Sequence, residues 1–507
     1  MWATVFFFGL VMVLSSCSSD DAPNNKKVDP YVTPSNPGPL ANELAGTWVC
    51  SYEATGNAQS ESGNETSAIS YVIDSYQFRK DGNGSFNRYI FNGKDNIPSI
   101  VQGILGYGDF IYNTTDDGTV RIALVNHWDQ SYPQQWEVHF ADNAITAQGI
   151  NGQALTLQHP IDGLKEALNA WAEKNGSKQY NVNDYKPTGV DNSQWMKQLQ
   201  DSRLVADLSL PGSHDACTAE GWFNQYLAFA FEMTAKCQDL TISEQLKVGV
   251  RVFDLRPERD LDGKDYVLRC CHGPAATKMY VSDFFKTLKQ WLADNPTEFL
   301  IVTIDLSNTK DKTAWGKEFS ALVNSSDYKS LFSDFKPRLT VGEMRGKVLM
   351  LSRCEYAEKP LGGYCYGWVY DLELEKQQKG HILGADGEQT PLWVQDYWGK
   401  PTRDGKDEAV VRMLEAASQR DMTAEKPAWV INYPSAYFTM PFSDSYRENA
   451  VSANKVTIDW LGSHSGSVGI IYMDFAGMDK SPNYTATTLY ETVGMKLVDS
   501  VIKQNWK

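Results

Sequence analysis

Basic residues are scarce relative to acidic ones in this 507-residue chain: 47 Lys and Arg stand against 63 Asp and Glu, a formal net charge of −16. The sequence has no Lys/Arg-rich run, and nucleic-acid binding needs a basic footprint, so the composition argues against a nucleic-acid partner. It also argues against docking to anionic lipid by bulk charge alone. Aromatic residues make up 12% of the chain, which excludes a disordered protein. At ~100–200 residues per domain, the length predicts several domains.

Long hydrophobic runs are also lacking, except at residues 2–14 (WATVFFFGLVMVL). That run is shorter than the ~20 residues a membrane-spanning helix needs, and it is typical of an export signal. Residues 14–17 (LSSC) resemble a bacterial lipobox, and residues 18–21 (SSDD) resemble the acidic tag that sends some lipoproteins to the cell surface. We therefore expect residues 1–17 to be a lipoprotein signal with lipidation at Cys17, which implies an exported, surface-exposed outer-membrane lipoprotein. An ordinary cleaved signal is the alternative.

Three segments follow before the largest domain. Residues 18–40 are rich in Pro, Asn, Ser and Asp, which predicts a flexible tether. Across residues 41–160, short period-two alternations bounded by Gly, Asn and Asp predict a small antiparallel all-β domain. Its opening LAGTW and its FRKDGNG turn resemble lipocalin-like modules, for which a spacer role and ligand binding both stay open. Residues 161–194 are predicted to be a helical linker.

From residue 195 to 507, apolar β-branched runs alternate with helical patterns such as residues 282–294. The predicted strands are Leu208–Leu210, Val250–Leu255, Tyr266–Arg269, Phe299–Leu306, Lys347–Leu351, Leu392–Val394, Trp429–Asn432 and Val468–Asp474. This alternation predicts an α/β TIM-type (β/α)8 barrel, irregular in detail, after the β domain. Barrels of this type carry their active sites at the carboxyl ends of the strands.

Polar side chains stand at the predicted strand ends. They are His214, Asp215, Asp254, Arg256, His272, Asp305, Arg353, Asp396 and Asp474. The whole chain has only 7 histidines, so two of them at strand ends, each beside a glycine turn, are unlike solvated surface residues. Two imidazoles can transfer protons, and the guanidinium of Arg256 can hold a phosphate.

Several spaced motifs resemble the catalytic X region of bacterial phosphatidylinositol-specific phospholipase C. They are Pro211–Ala216 (PGSHDA), Gln245–Arg256 (QLKVGVRVFDLR), His272–Pro274 (HGP), Asp294–Phe299 (DNPTEF), Arg345–Arg353 (RGKVLMLSR), Val394–Asp396 (VQD) and Gly469–Asp474 (GIIYMD). The resemblance implies cleavage of an inositol phospholipid or a glycosyl-inositol lipid. In that reaction the inositol 2-hydroxyl attacks phosphorus, diacylglycerol leaves and a 1,2-cyclic phosphate forms.

The resemblance also implies a role for each residue at the reacting centre. His214 would be the general base, and Asp474 would fix its tautomer. His272 would be the general acid, with Asp215 as its partner.

Arg256 would hold the phosphate oxygens, while Asp254 would contact the attacking hydroxyl or orient Arg256. Calcium-using relatives have an acid where Arg256 stands, so we expect metal-independent catalysis without a cofactor. Asp305 is the residue that leaves calcium binding open, and an Asp305–Arg256 ion pair is the favoured alternative.

Other family positions concern substrate and membrane. Arg353 and Asp396 match positions that hold inositol hydroxyls, with a rim salt bridge as the alternative. The family has an aromatic platform for the sugar nearby, and either Tyr397 or Trp398 would supply it. Aromatic side chains on two rim loops would enter the lipid interface, or else pack into the core; they are Trp222, Phe223, Tyr437 and Phe438.

Two other functions stay open. A glycerophosphodiester phosphodiesterase would need a metal-binding acidic cluster at the first strand ends, and Arg256 disfavours it. A non-enzymatic surface lipoprotein that binds inositol lipids or glycans is the other, and the intact His214 and His272 favour an enzyme instead.

Overall fold

The computed structural model describes residues 36–59, 65–94, 97–102, 108–127, 135–149, 152–158, 182–224, 228–262, 265–306, 309, 311–354, 361–398, 402–437, 445–483 and 488–507. The predicted signal with Cys17, nearly all of the tether and most of the helical linker lie outside these residues. The chain divides near residue 177 into two compact units. Within the described ranges, none of the helices has the length and apolar character needed to cross a membrane.

The first unit is an antiparallel all-β domain, as the alternation predicts. After a short helix α1 (Ala41–Leu44), its described strands are β1 (Gly46–Gln59), β2 (Glu65–Phe78), β3 (Asn83–Lys94), β4 (Ile97–Gln102), β5 (Gly108–Thr114), β6 (Thr119–His127), β7 (Gln135–Ala141), β8 (Ala144–Gln148) and β9 (Ala154–Gln158). Strands β1 and β9 pair with each other, and β2 pairs with β3, so the sheet closes on itself with β4 beside β3. A closed meander of this kind fits the lipocalin-like prediction.

Aromatic side chains fill the core of this first unit. Tyr76 and Phe78 alternate with outward residues along β2, and the ring of Tyr76 lies 4.7 Å from that of Phe86. Phe78 lies 5.2 Å from Phe110. Large rings at alternate positions bury one face of each strand, which is what holds a small closed sheet together.

The second unit combines strands and helices. Its described strands are β10 (Ser209–Ser213), β11 (Val252–Leu255), β12 (Pro257–Asp262), β13 (Asp265–His272), β14 (Ala275–Tyr280), β15 (Leu300–Ile304), β16 (Phe332–Ser333), β17 (Val348–Ser352), β18 (Gly363–Tyr366), β19 (Gly380–Gly384), β20 (Gln389–Gln395), β21 (Trp429–Asn432), β22 (Gly469–Met473), β23 (Ser481–Pro482) and β24 (Leu489–Tyr490). Its described helices are α2 (Ala228–Thr234), α3 (Ile242–Val248), α4 (Val281–Asp294), α5 (Lys312–Val323), α6 (Val341–Met344), α7 (Leu374–Gln377), α8 (Arg403–Ser418), α9 (Ser445–Ser463) and α10 (Gly494–Lys503).

The large sheet closes into a ring, in the order β15-β11-β10-β22-β21-β20-β19-β18-β17 and back to β15, with β16 beside β17. Neighbours are parallel except around β19, which runs antiparallel to β18 and to β20. The described ring is therefore barrel-like with one reversed strand inserted, which departs from a regular (β/α)8 pattern.

One predicted barrel strand is wrong, and two described strands of the ring, β18 and β19, were not predicted. Tyr266–Arg269 belongs to β13, which lies in a separate three-stranded sheet with β12 and β14. The hairpin between β13 and β14 pairs His272 with Ala275, so local pairing across a tight turn outcompetes a place in the barrel. The parallel position is taken by β18, whose short Gly-Tyr-Cys-Tyr run lacks the β-branched residues that mark a buried strand.

Capping residues and a glycine fix how the chain enters β11, the strand that carries Asp254 and ends directly before Arg256. Helix α3 begins in a capping box, in which Thr241 and Glu244 satisfy each other's backbone N–H. It ends at Gly249, whose φ of 114° and close approach to Ile502 exclude a side chain. The buried Arg251 then bonds Glu298 at 2.9 Å and anchors the start of the strand.

Candidate active site

His214 and Asp474 meet because their strands are neighbours in register. Ser213 at the end of β10 pairs with Met473 at the end of β22, so the next residue on each strand lies at the same edge. His214 Nδ1 lies 2.8 Å from Asp474 Oδ1. The fully buried carboxylate therefore holds the Nδ1–H tautomer and leaves Nε2 for chemistry, as predicted for a base and its orienting acid.

Asp215 lies between the two histidines. It takes the left-handed conformation, with a φ of 40°, which turns its carboxylate back toward His214. The same oxygen, Oδ2, is 3.0 Å from Nε2 of His214 and 3.4 Å from Nε2 of His272. The predicted Asp215–His272 pair is thus present, and Asp215 also contacts His214 at the shorter distance.

His272 comes from the hairpin sheet rather than from a barrel strand. Its Nδ1 lies 2.7 Å from the carbonyl oxygen of Ala235. Because a carbonyl can only accept, Nδ1 carries a hydrogen, and Nε2 is the nitrogen that exchanges protons. Its ring centroid is 6.1 Å from that of His214, so both exchanging nitrogens face one small volume.

The pKa values follow from these contacts. Burial opposes the charged form of His214, but the carboxylates of Asp215 and Asp474 outweigh it and raise the pKa of His214 well above its usual value. Burial lowers the pKa of His272 despite the nearby carboxylate. For Asp215, burial is overcome by the two histidines and Arg256, which lower its pKa. These contacts favour a proton on His214 over one on His272.

Arg256 is held by three carboxylates. Asp254 binds it with both oxygens, at 3.1 Å to Nε and 2.9 Å to Nη2. Asp305 bonds Nη1 at 3.0 Å, so the predicted Asp305–Arg256 ion pair is confirmed. Nε also lies 3.8 Å from Oδ1 of Asp215, which points the guanidinium at the histidine pair. Of the two roles predicted for Asp254, orienting Arg256 is the one its contacts match.

An aromatic cluster lies over the second arginine, Arg353. Its guanidinium lies 4.1 Å from the ring centroid of Trp368 and donates to the hydroxyl of Tyr370. Trp368 Nε1 donates to Asp396 Oδ2 at 2.9 Å. Tyr370 packs edge-on against Trp398 at 5.9 Å. The structure thus brings three of the four predicted inositol-binding residues to one cluster.

Tyr397 is held through its backbone, since its carbonyl oxygen accepts from Lys406 Nζ at 2.9 Å. Arg353 also forms the rim salt bridge that the sequence left open, at 3.1 Å to Asp305. A rim pair and a hydroxyl-binding role are compatible, because a guanidinium has several donors.

One group of possible metal ligands lies in this site. His214, Asp215 and Cys237 each offer an atom within 4.8 Å of the others. Asp215 is shared with Arg256, and a fixed guanidinium charge at that distance opposes a cation. The charges around the group therefore agree with the prediction of metal-independent catalysis.

Several known proteins are similar to the chain. The model of the family "Phosphatidylinositol-specific phospholipase C, X domain" matches residues 208–353. Residues 208–353 are thus similar to this X domain. It is 28% identical over 256 residues to the 1-phosphatidylinositol phosphodiesterase of Listeria monocytogenes serovar 1/2a, covering 48% of the chain and 71% of the relative. To the enzyme of that name from Staphylococcus aureus strain Newman it is 27% identical over 235 residues, covering 44% and 69%.

A solved structure shares the fold of a large part of the chain. It is a variant of the phosphatidylinositol-specific phospholipase C from Staphylococcus aureus, with a TM-score of 0.50 and 22% identity. The match covers 61% of this chain and 96% of that structure. The likeness in fold therefore covers a larger share of the chain than the family model, which matches residues 208–353.

Sequence reasoning missed several aromatic residues around the X-domain site. Trp368 and Tyr370 follow β18, the strand that was not predicted. Tyr446, on the first turn of α9, contacts His272, and the ring of Tyr433 lies 6.0 Å from that of His214. The density of Tyr and Trp between residues 364 and 370 was a usable signal.

The predicted lipid-contacting residues that the structure describes differ in their exposure. For Trp222 the structure matches the alternative of core packing, because its side chain is 3% exposed and its Nε1 donates to Glu232 at 2.7 Å. Phe223 is 37% exposed and lies on the guanidinium of Arg269. Tyr437 is half-buried, and Phe438 lies outside the described residues.

Proposed function

We propose that the chain is a phosphatidylinositol-specific phospholipase C that cleaves inositol phospholipids, or glycosyl-inositol lipids, to diacylglycerol and inositol 1,2-cyclic phosphate. The observation that carries the proposal is the single carboxylate oxygen of Asp215, which faces the exchanging nitrogen of both His214 and His272. Cyclisation needs one proton removed and one supplied within a few ångströms, and a shared carboxylate couples the two sites.

The proposed reaction uses the neutral form of His214 and the protonated form of His272. Nε2 of His214 takes the proton of the inositol 2-hydroxyl as its oxygen attacks phosphorus. The bond from phosphorus to the glycerol oxygen breaks, and that oxygen takes the proton from Nε2 of His272. Arg256 faces the non-bridging oxygens, where negative charge builds up. The contacts of the free site favour a proton on His214 over one on His272, so the reaction uses the less favoured placement of that proton.

The aromatic cluster supplies the recognition of the sugar. We infer that Arg353 and Asp396 bind inositol hydroxyls, and that Trp398 covers the apolar face of the ring. Asp305, which pairs with both arginines, links this end of the site to the phosphate end.

The experiment uses the full chain in detergent with phosphatidylinositol mixed micelles, and follows the product by phosphorus NMR. Inositol 1,2-cyclic phosphate is expected, at the same rate with and without EDTA. His214→Ala is expected to lower the rate by ~10²–10⁴. The matched control is His381→Ala, since His381 lies on β19 and stacks on Tyr366.

Each other outcome has a clear meaning. Loss of product with EDTA and recovery with calcium would make the carboxylates around Arg256 a metal site. Cleavage of glycerophosphodiesters in place of phosphatidylinositol would favour the glycerophosphodiesterase. If the chain binds micelles of phosphatidylinositol and of a glycosyl-inositol lipid but forms no product from either, a non-enzymatic binding protein would be favoured.

Display at the cell surface is part of the proposal and rests on the sequence alone. A lipid at Cys17 and a tether over residues 18–40 would hold the enzyme beside a membrane, which suits a protein of net charge −16 that cannot rely on electrostatic docking. Metabolic labelling with a fatty acid, lost in Cys17→Ser, tests the anchor.

A further inference from the structure

Tyr446 contacts the general acid at its working nitrogen. Its hydroxyl lies 3.2 Å from Nε2 of His272, and its side chain is 7% exposed. Since Nδ1 of His272 is engaged with the Ala235 carbonyl, Nε2 is the nitrogen that exchanges protons. Oδ2 of Asp215 also lies near Nε2, at 3.4 Å.

Asp215 and Tyr446 can form different hydrogen bonds with Nε2 of His272. Protonated His272 can donate from Nε2 to the carboxylate of Asp215. Neutral His272 has a lone pair on Nε2, and an ionised carboxylate cannot donate to it. The hydroxyl of Tyr446 can donate, and burial raises the pKa of Tyr446 so that the hydroxyl keeps its proton. Tyr446 can therefore donate a hydrogen bond to neutral His272, the form that exists after the proton has left Nε2.

Packing fixes where that hydroxyl lies. The ring of Tyr446 is 5.6 Å from the ring of His272, 6.0 Å from that of His214 and 5.2 Å from that of Tyr437. On the same helix, Asn449 donates to the Pro434 carbonyl at 2.9 Å, and the helix start is therefore anchored. A donor fixed in this way needs no reorganisation when the charge on His272 changes.

We propose that Tyr446 is a positioning residue for proton delivery to the leaving group. This inference rests on the proposed phospholipase C reaction. As the bond from phosphorus to the glycerol oxygen breaks, its electron pair goes to that oxygen, and the proton of Nε2 follows. The Tyr446 O–H then donates to the vacated lone pair of Nε2, which stabilises neutral His272 as it forms and makes it a stronger acid.

The leaving group tests this idea directly. An alkoxide needs a proton to leave, whereas a nitrophenolate does not, so general-acid catalysis matters for phosphatidylinositol and little for a nitrophenyl ester of inositol phosphate. Tyr446→Phe is expected to lower kcat for phosphatidylinositol on the order of 10-fold. For the nitrophenyl ester the expected loss is within about 3-fold.

The matched control is Tyr433→Phe. Tyr433 is a buried tyrosine 6.0 Å from the ring of His214, and its hydroxyl has no hydrogen-bond partner among the described residues. For Tyr433→Phe, the ratio of the rate on phosphatidylinositol to the rate on the nitrophenyl ester is expected to stay at the wild-type value. Equal losses on both substrates in Tyr446→Phe would mean a structural role and overturn the proposal.

A double variant adds a second readout. With His272→Ala in place, the further change Tyr446→Phe is expected to have no effect on phosphatidylinositol cleavage, because the residue through which it acts is gone. Independent, multiplying losses would also overturn the proposal. Wild-type protein that cleaves neither substrate would instead contradict the proposed function, so the two failures are distinguishable.

Discussion

Asp305 bonds Arg256 through Oδ2, at 3.0 Å from Nη1. The same oxygen lies 3.1 Å from Nη1 of Arg353, so one carboxylate oxygen bridges two guanidiniums that belong to different parts of the site. All three side chains are at most 15% exposed. Solvent therefore screens the contacts weakly, and the two arginines depend on this carboxylate for their separation.

Replacing Asp305 is expected to destabilise the fold and the site together. In Asp305→Asn, two buried positive charges face one neutral amide, so we expect the free energy of unfolding to fall by ~1–3 kcal/mol, with lower activity. Urea unfolding measures the first effect. Asp459→Asn breaks the exposed Lys455–Asp459 pair and is expected to cost less than ~1 kcal/mol. Equal costs would show that the bridge is no stronger than a surface pair.

The pH profile should respond to Asp474. The carboxylates of Asp215 and Asp474 raise the pKa of His214, and burial lowers the pKa of His272. We therefore expect a bell-shaped pH profile of kcat/KM, in which the higher pKa, that of His214, sets the alkaline limb. Asp474→Asn removes one of the charges that raise the pKa of His214. The alkaline limb of the profile should therefore move to lower pH, while the acid limb moves less. A shift confined to the acid limb would contradict the assignment of the two histidines.

Phe223 is the predicted interfacial residue that the structure leaves exposed. Phe223→Ser is expected to weaken sedimentation with phosphatidylinositol vesicles and to slow cleavage of vesicle lipid several-fold, with little effect on a short-chain monomeric substrate. Trp506→Ser is the matched control, because Trp506 is the other large hydrophobic residue exposed in the described ranges, at 48%. Equal effects of the two variants would argue against a specific lipid-facing loop.

Lys406 should give the fold a distinctive pH dependence. Its side chain is fully buried, and burial lowers its pKa to about 7. Between about pH 7 and pH 10 the unfolded chain keeps this proton and the folded chain does not, so stability rises with pH. Wild type should gain about 1.4 kcal/mol per pH unit relative to Lys406→Met, by urea unfolding.

The comparison has its own control. Lys455→Met removes an exposed lysine of the same length, whose side chain is 68% exposed, and should give no such slope. A flat difference between wild type and Lys406→Met would mean that the bonds to Gln395 and to the Tyr397 carbonyl keep Lys406 charged in the folded state.

Much of the reacting centre could be predicted from sequence because it sits in short local motifs. His214 and Asp215 are adjacent in the chain, and Arg256 follows directly after β11, the strand that carries Asp254, so local geometry already places each pair on one rim. Asp474 follows a buried apolar run, and strand ends of a barrel converge. The predicted barrel position of Tyr266–Arg269 is wrong, because a tight turn makes a hairpin locally favourable there.

The sequence by itself determined seven of the predicted barrel strands, the candidate site residues that follow them and the acidic composition, since periodicity and motif spacing are local properties. Tertiary structure decided that His272 reaches the site from a hairpin outside the barrel, that Trp222 is buried, and that Trp368, Tyr370 and Tyr446 join the site. Those outcomes depend on contacts between residues that are far apart in the chain, and such contacts leave no periodic trace in the sequence around any one of them.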